Sequence, residues 1–192
     1  MYLSDIERVC VVGAGAIGGL LGGRISLRTD LKVTLIARGP HLREILKNGG
    51  LRLIESDGSE TLCTRVTATD KWEKLGTFDI VILAVKSHGL AAIAHLVQKI
   101  CHENTIIIPV QNGIPWWYFH KNGGTLDGRN LTSIDPEGKL SKYIPLDNIV
   151  GCIAFPAAEV VSPGVVKHVE GKFHVPPSII IQYIFRSCFS AW

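Results

Sequence analysis

The hydrophobic residues of this chain fall into two kinds of block. Residues 9–12, 32–37, 79–85 and 105–110 are short runs, β-branched and apolar nearly throughout. Such runs predict parallel strands, and the run at 79–85 reads as a central strand buried on both faces. Residues 16–27, 40–48 and 89–101 are longer and predict helices, the second ended by Gly49-Gly50. The resulting order, β-α-β-α and then β-α-β, predicts an α/β fold, a Rossmann-like doubly wound and mainly parallel sheet. Between these halves, residues 51–54 and 61–66 flank the turn-forming Ser56-Asp57-Gly58-Ser59, which predicts a hairpin or an irregular excursion. Residues 122–142 are rich in Gly, Asp and Ser and predict an exposed loop. Residues 148–155 predict a further strand. A hairpin is expected where Glu159-Val160-Val161 and residues 165–169 flank Ser162-Pro163-Gly164.

The first strand runs into Gly13-Ala14-Gly15-Ala16-Ile17-Gly18, a G-x-G-x-x-G turn that opens the first helix. This strand–turn–helix context is what dinucleotide binding requires. Gly13 suits a tight turn, Gly15 a close approach of pyrophosphate to the backbone, and Gly18 close packing of helix on sheet. The unpaired N–H groups and dipole of the helix start favour an anion there. Arg38 ends the second strand, where an acidic residue would meet the ribose 2′-OH of NAD. A guanidinium suits a 2′-phosphate, so NADP(H) is the preferred cofactor; the alternative is a solvated arginine closing a strand. Lys86-Ser87-His88 and Gln111-Asn112-Gly113 follow two other strands and fall on the same sheet edge, where ligands of such folds bind. Lys86 could pair with a phosphate or a carboxylate, and Asn112 could hydrogen-bond nicotinamide or a substrate hydroxyl. Taken singly, they also read as a lysine capping a strand and an Asn-Gly turn. The aromatic run Trp116-Trp117-Tyr118-Phe119 suits a pocket wall or plain packing.

Composition narrows the function classes. A net charge of +3 without a basic, aromatic-interleaved stripe argues against nucleic acid. Five cysteines at 10, 63, 101, 152 and 188, with no C-x-x-C, suggest reduced thiols in a cytoplasmic protein. The polar residues after Met1 predict no signal peptide, and no apolar run reaches the roughly 18 residues of a membrane span. His88, His95 and His102 recur every seven residues, which on a helix is one face. The rise of about 10.5 Å per seven residues separates them too far to share an ion, so no metal site is expected. No G-x-S-x-G is present to support a nucleophile-elbow hydrolase.

Taken in order, several motifs resemble the ketopantoate reductases (2-dehydropantoate 2-reductases). They are Gly13 to Gly19, Val33 to Arg38, Ala84-Val85-Lys86, Gln111 to Ile114, and Phe155 to Ala158 followed by Pro163 to His168. The resemblance implies NADPH-dependent reduction of ketopantoate, a small 2-keto acid, to pantoate in the route to pantothenate and coenzyme A. It implies that the loop Gly13, Ala14, Gly15, Ala16, Ile17 and Gly18 holds the pyrophosphate, Arg38 the 2′-phosphate, and Lys86 the cofactor side of the cleft. Asn112 would sit between nicotinamide and substrate, and Ala157 matches a family position whose backbone touches the cofactor. In that family an all-helical domain follows, with a lysine that donates the proton and further residues that grip substrate. Neither Lys167 nor Lys172 matches that lysine. The expectation is an NADP-binding domain over residues 1–172 without the helical domain, inactive as this chain alone. The alternative is a non-catalytic NADP(H)-binding module or a nonfunctional truncated product. The apolar stretch 173–192 departs from the family and reads as a frameshift product or a docked terminal element. Bare surface left by the missing domain would favour homo-oligomers or aggregation.

Overall fold

The computed structural model describes residues 6–27, 30–152, 154 and 156–169. Its elements in chain order are β1 (Arg8–Val12), α1 (Ala16–Ser26), β2 (Lys32–Ile36), α2 (Gly39–Lys47), β3 (Leu51–Ile54), β4 (Glu60–Cys63) and β5 (Val66–Thr69). They continue with β6 (Phe78–Leu83), α3 (Ser87–Lys99), β7 (Cys101–Pro109), α4 (Lys139–Tyr143), β8 (Ala158–Ser162) and β9 (Val165–His168). The main sheet has the order β5-β2-β1-β6-β7, with every pair parallel. This is the doubly wound, Rossmann-like arrangement. The chain winds outward from β1 through β2 to β5, then crosses back to β6 on the other side of β1.

Alternation along each inner strand feeds two separate cores. Val9 and Val11 of β1 and Ile80 and Ile82 of β6 point to one side, where Leu20 and Ile25 of α1 and Leu42 and Ile45 of α2 pack. Cys10, Val12, Val81 and Leu83 point to the other, toward Leu90, Ala94 and Val97 of α3 and toward Leu140 and Ile144. Burial on both faces explains why these strands read as unbroken apolar runs.

A second sheet, ordered β4-β3-β9-β8, covers the far side of α1. Its outer pairs are antiparallel, whereas β3 and β9 run parallel, with Arg52 opposite Val165. The helix is therefore held between two sheets, and its glycines mark both contacts. A Cβ on Gly18 would lie 2.0 Å from the Gly13 carbonyl oxygen, and one on Gly22 would lie 2.4 Å from Leu35, both toward the main sheet. A Cβ on Gly19 would meet Val166 at 2.8 Å and one on Gly23 would meet Leu53 at 2.7 Å, both in the second sheet. A cluster of Arg24, Glu55 and His168 closes this sandwich. Arg24 donates to both Glu55 carboxylate oxygens and lies 3.1 Å from His168 Nδ1, joining α1, the chain after β3, and β9.

Several expectations are corrected. Residues 61–66 do not form one strand: the chain turns after Cys63, and β5 leaves to pair with β2. No strand extends through 148–152. A 3-10 turn occupies Leu146–Asn148, and Ile149 makes a single parallel bridge to Ile107. The Asn148 carboxamide donates to the carbonyls of Glu103 and Thr105 and the Val150 N–H to that of Ile107, so the segment is tied to β7 at its start without continuing as a strand. Within 122–142, Asp135 is buried and accepts the N–H groups of Leu140 and Ser141, anchoring α4 rather than leaving an open loop. His102 lies in β7 beside Asp79, beyond the end of α3, so the three histidines do not share a helix. The stretch 173–192 lies outside the described residues.

Replacing Gly18 by Ala should lower unfolding free energy by about 1–3 kcal/mol in urea titration. The opposing atom is a backbone oxygen, which cannot rotate away.

Candidate functional site

The main sheet aligns its strand ends in one row. Thr69, Ile36, Val12, Leu83 and Pro109 are successive partners across β5, β2, β1, β6 and β7. The residues just beyond this row are Gly13 after β1, Arg38 after β2, Lys86 after β6 and Asn112 after β7. Strands stand about 4.8 Å apart, so Arg38 and Asn112 are separated by about 14 Å along the edge. All four expected positions thus share one edge, and it includes the point where the winding reverses between β1 and β6. Ala157 comes directly before β8 in the second sheet, with its carbonyl accepting the Val169 N–H.

The glycine loop divides into positions filled by protein and one that is open. Gly13 adopts φ +96°, and a Cβ there would lie 2.7 Å from a Val85 methyl and 3.0 Å from its backbone nitrogen. Gly18 is closed by the Gly13 carbonyl and by Ala84. A Cβ on Gly15 would meet nothing within 4 Å. The protein therefore requires the glycines at 13 and 18, while no protein atom demands one at 15. Gly13 and Ala14 donate their N–H groups to the Ile36 carbonyl, which pins the loop to the end of β2.

Three helices begin on this edge: α1 with Gly15 as N-cap, α2 with Arg38 and α3 with Lys86. None of the three caps makes a side-chain hydrogen bond, and none of these helices has an acidic residue in its first turn. Glycine has no side chain, and arginine and lysine carry no acceptor. Cations at a helix start also oppose the dipole. An Asn, Asp or Ser cap would stabilise α2 and α3 by about 1 kcal/mol each and α1, begun by glycine, by a few tenths. By contrast α4, away from this edge, receives the Asp135 carboxylate. The edge thus gathers open N–H groups, dipole ends and two exposed cations without a compensating anion from the caps.

Two neighbouring residues have parts that the sequence did not reveal: Gln111, read there only as a member of its motif, and His41, not singled out. Gln111 donates from Nε2 to the carbonyls of Leu83, at 2.9 Å, and Val85, at 3.0 Å. His41, one turn into α2, accepts the Gly164 N–H at Nδ1, 3.0 Å away, which ties the β8–β9 turn to the start of α2. Burial pushes the His41 pKa below its ordinary value, with the Ala14 carbonyl partly opposing that shift. A signal for His41 was its place three residues after Arg38, but only a remote turn reveals its partner. Of the aromatic run, Trp116 is buried in the α3-side core and packs edge-on against Trp117, with ring centroids 4.4 Å apart. Packing therefore accounts for Trp116, while Tyr118 remains exposed.

Among the described residues, no group of three or more His, Cys, Asp or Glu could hold a metal ion. No helix there is long and apolar enough to cross a membrane. Burial raises the pKa of Cys63 to about 11 and also raises those of Cys10, Cys101 and Cys152, which keeps these thiols protonated and poorly nucleophilic.

Because the His41 pKa is lowered on folding, the unfolded chain binds more protons below about pH 6.5. Stability is complete above that value and falls as pH drops toward the folded-state pKa. Thermal melts of the parent chain and His41→Gln should diverge in that window, with the variant losing less on acidification.

The model of a family described as Ketopantoate reductase PanE/ApbA matches residues 9–177. The chain is 43% identical over 167 residues to the 2-dehydropantoate 2-reductase of Mesorhizobium japonicum, covering 86% of this chain and 50% of that protein. It thus spans about half the length of the curated relatives it matches. Among solved structures, a candidate ketopantoate reductase of Ralstonia solanacearum superimposes with a TM-score of 0.80 at 33% identity, over 96% of this chain and 59% of that one. A D-mandelate dehydrogenase bound to NADH and anilino(oxo)acetate shares the fold, with a TM-score of 0.66 at 19% identity, over 95% of this chain and 55% of that one. With the family match running from β1 past β9, over the same sheet edge that carries the glycine loop, this chain belongs to the ketopantoate reductase family.

Proposed function

We propose that this chain binds NADP(H) along the C-terminal edge of its main sheet and forms the cofactor half of a reductase. The reaction is reduction of the 2-keto acid ketopantoate to pantoate, in the cytoplasmic route to pantothenate. The observation that carries this reading is the set of three helix N-termini on one edge, each begun by a residue that cannot cap it. The open Cβ position at Gly15 supports it, because that glycine answers no demand within the protein.

Each residue then has a defined task. Gly13 and Ala14 keep their N–H groups on the Ile36 carbonyl and shape the loop, while the N–H groups from Gly15 through Ala16 and Ile17 to Gly18, at the start of α1, receive pyrophosphate oxygens, helped by the helix dipole. Arg38 pairs with the 2′-phosphate through charge and a planar fork of donors. Lys86 supplies positive charge on the far side of the loop. Asn112 carries a donor and an acceptor on one carboxamide, which suits it to orient a keto acid against the nicotinamide. Ala157 contributes backbone contact. Bound NADPH supplies the hydride. The developing alkoxide needs a proton donor, a contribution of about 10²–10⁴-fold in such reactions, and this task falls to the part of the enzyme that relatives carry beyond the matched half.

The test is NADPH titration and NADPH consumption with saturating ketopantoate in one sample. Binding supports the cofactor reading, and turnover extends it to the full reaction. Binding without turnover would assign this chain the cofactor half alone, and no binding would overturn the reading. Arg38→Ala should weaken NADPH by about 10- to 100-fold, the range for a charge-assisted hydrogen bond, and leave NADH little changed. Equal loss for both would assign Arg38 to something other than the 2′-phosphate. Gly15→Ala should fold as the parent does, since its methyl meets open space, yet bind NADPH more weakly.

A further inference from the structure

Gln111 sits between two residues assigned to the site, yet its own side chain turns inward. Both hydrogens of its amide are spent on β6 and the chain after it, one on the Leu83 carbonyl and one on the Val85 carbonyl. Its Oε1 is left buried without a hydrogen-bond partner. A buried acceptor in that state is destabilising and calls for a reason. The amide could not donate to both carbonyls in the opposite orientation.

The two bonds fall where the β6–β7 ladder ends. Val110 donates its backbone N–H to Leu83, at 3.1 Å, as the last regular rung. In a parallel ladder the next rung would run from the Asn112 N–H to the Val85 carbonyl. The Gln111 side chain occupies that carbonyl instead. At Leu83 the amide shares the carbonyl with the Val110 N–H, and at Val85 it stands where the next rung would fall; Gly113 then follows at φ +103° as the chain turns away.

The clamped segment has a second role. Gly13 and Gly18 of the glycine loop rest on Val85 and Ala84, at distances that leave no room for a Cβ. Lys86 is the next residue and starts α3. The Gln111 carboxamide thus holds, from the β7 side, the backbone that supports the glycine loop and launches Lys86.

We infer that Gln111 is a positioning residue that replaces one rung of the β6–β7 ladder, fixing Lys86 and releasing Asn112 to the dinucleotide edge. This rests on the NADP(H) reading above. The experiment is NADPH titration of the parent, Gln111→Met, Lys86→Ala and the double variant, with thermal unfolding of each. Gln111→Met should weaken NADPH about tenfold, the equivalent of losing two neutral hydrogen bonds. In the Lys86→Ala background the same change should cost much less, because the cation it positions is gone. Equal weakening in both backgrounds would mean general structural damage and overturn the inference, as would unchanged affinity in Gln111→Met.

Gln111→Glu provides the second route should the methionine variant fail to fold. Its carboxylate has no proton to donate, whereas the protonated acid regains one donor. NADPH affinity relative to the parent at the same pH should recover as pH falls, and a ratio that does not move with pH would overturn the inference. Parent binding with an unaffected Gln111→Met would sink this role alone. Failure of the parent to bind would overturn the dinucleotide reading and this role together.

Discussion

The structure depends on how closely two sheets can approach one helix. α1 lies between the main sheet and the second sheet, and glycines at 18 and 22 face one while those at 19 and 23 face the other. Each glycine in a helix costs about 1 kcal/mol relative to alanine. That loss is offset by burying Leu51, Leu53 and Val166 against the helix on one side and Val11 and Leu35 on the other. The Arg24 guanidinium fixes the sandwich at its rim, held by Glu55 and His168. The same close approach sets the geometry of the glycine loop, because the start of α1 cannot shift without displacing both sheets.

A helix start normally spends a side-chain oxygen on its own N–H groups. α4 follows that rule through Asp135, and the three helices at the sheet edge do not. Local stability is relinquished along this edge, which is where the glycine loop, the two cations and Asn112 come together. The side chains around it do the opposite. His41 and Gln111 make fixed bonds to backbone, so the edge is rigid where it is supported and open where it faces outward.

Four strands of the five-stranded sheet were legible because buried parallel strands leave a local trace, an unbroken apolar run. β1, β2, β6 and β7 each carry one, and the G-x-G-x-x-G turn placed the helix between the first two. The second sheet left no such trace. β3 pairs with β9, more than a hundred residues away, and nothing in either short segment encodes a parallel partner at that distance. β5 was missed: only its Val66 fell within the expected strand 61–66, and the break at Thr64-Arg65 lacks the glycine or proline that would mark a new strand. The residue types at the site were readable as motifs. The bonding roles of Gln111 and His41 were not, since a glutamine after a strand and a histidine on a helix declare no partner until the carbonyls of β6 and the turn at Gly164 are in place.

The parallel pairing of β3 with β9 also bears on how the chain is made. Residue 52 meets residue 165. At translation rates of roughly 5–20 residues per second, the glycine face of α1 waits on the order of ten seconds for its second sheet to be synthesised. During that interval β3 and β4 form only a two-stranded hairpin against α1, without β9 beside it, and such a pair is marginally stable in water. Nascent chains of this protein therefore pass through a stage in which the main sheet can assemble while the Gly19 side of its first helix still lacks Val166. Chaperone engagement and aggregation during synthesis should concentrate on chains that have not yet reached residue 168.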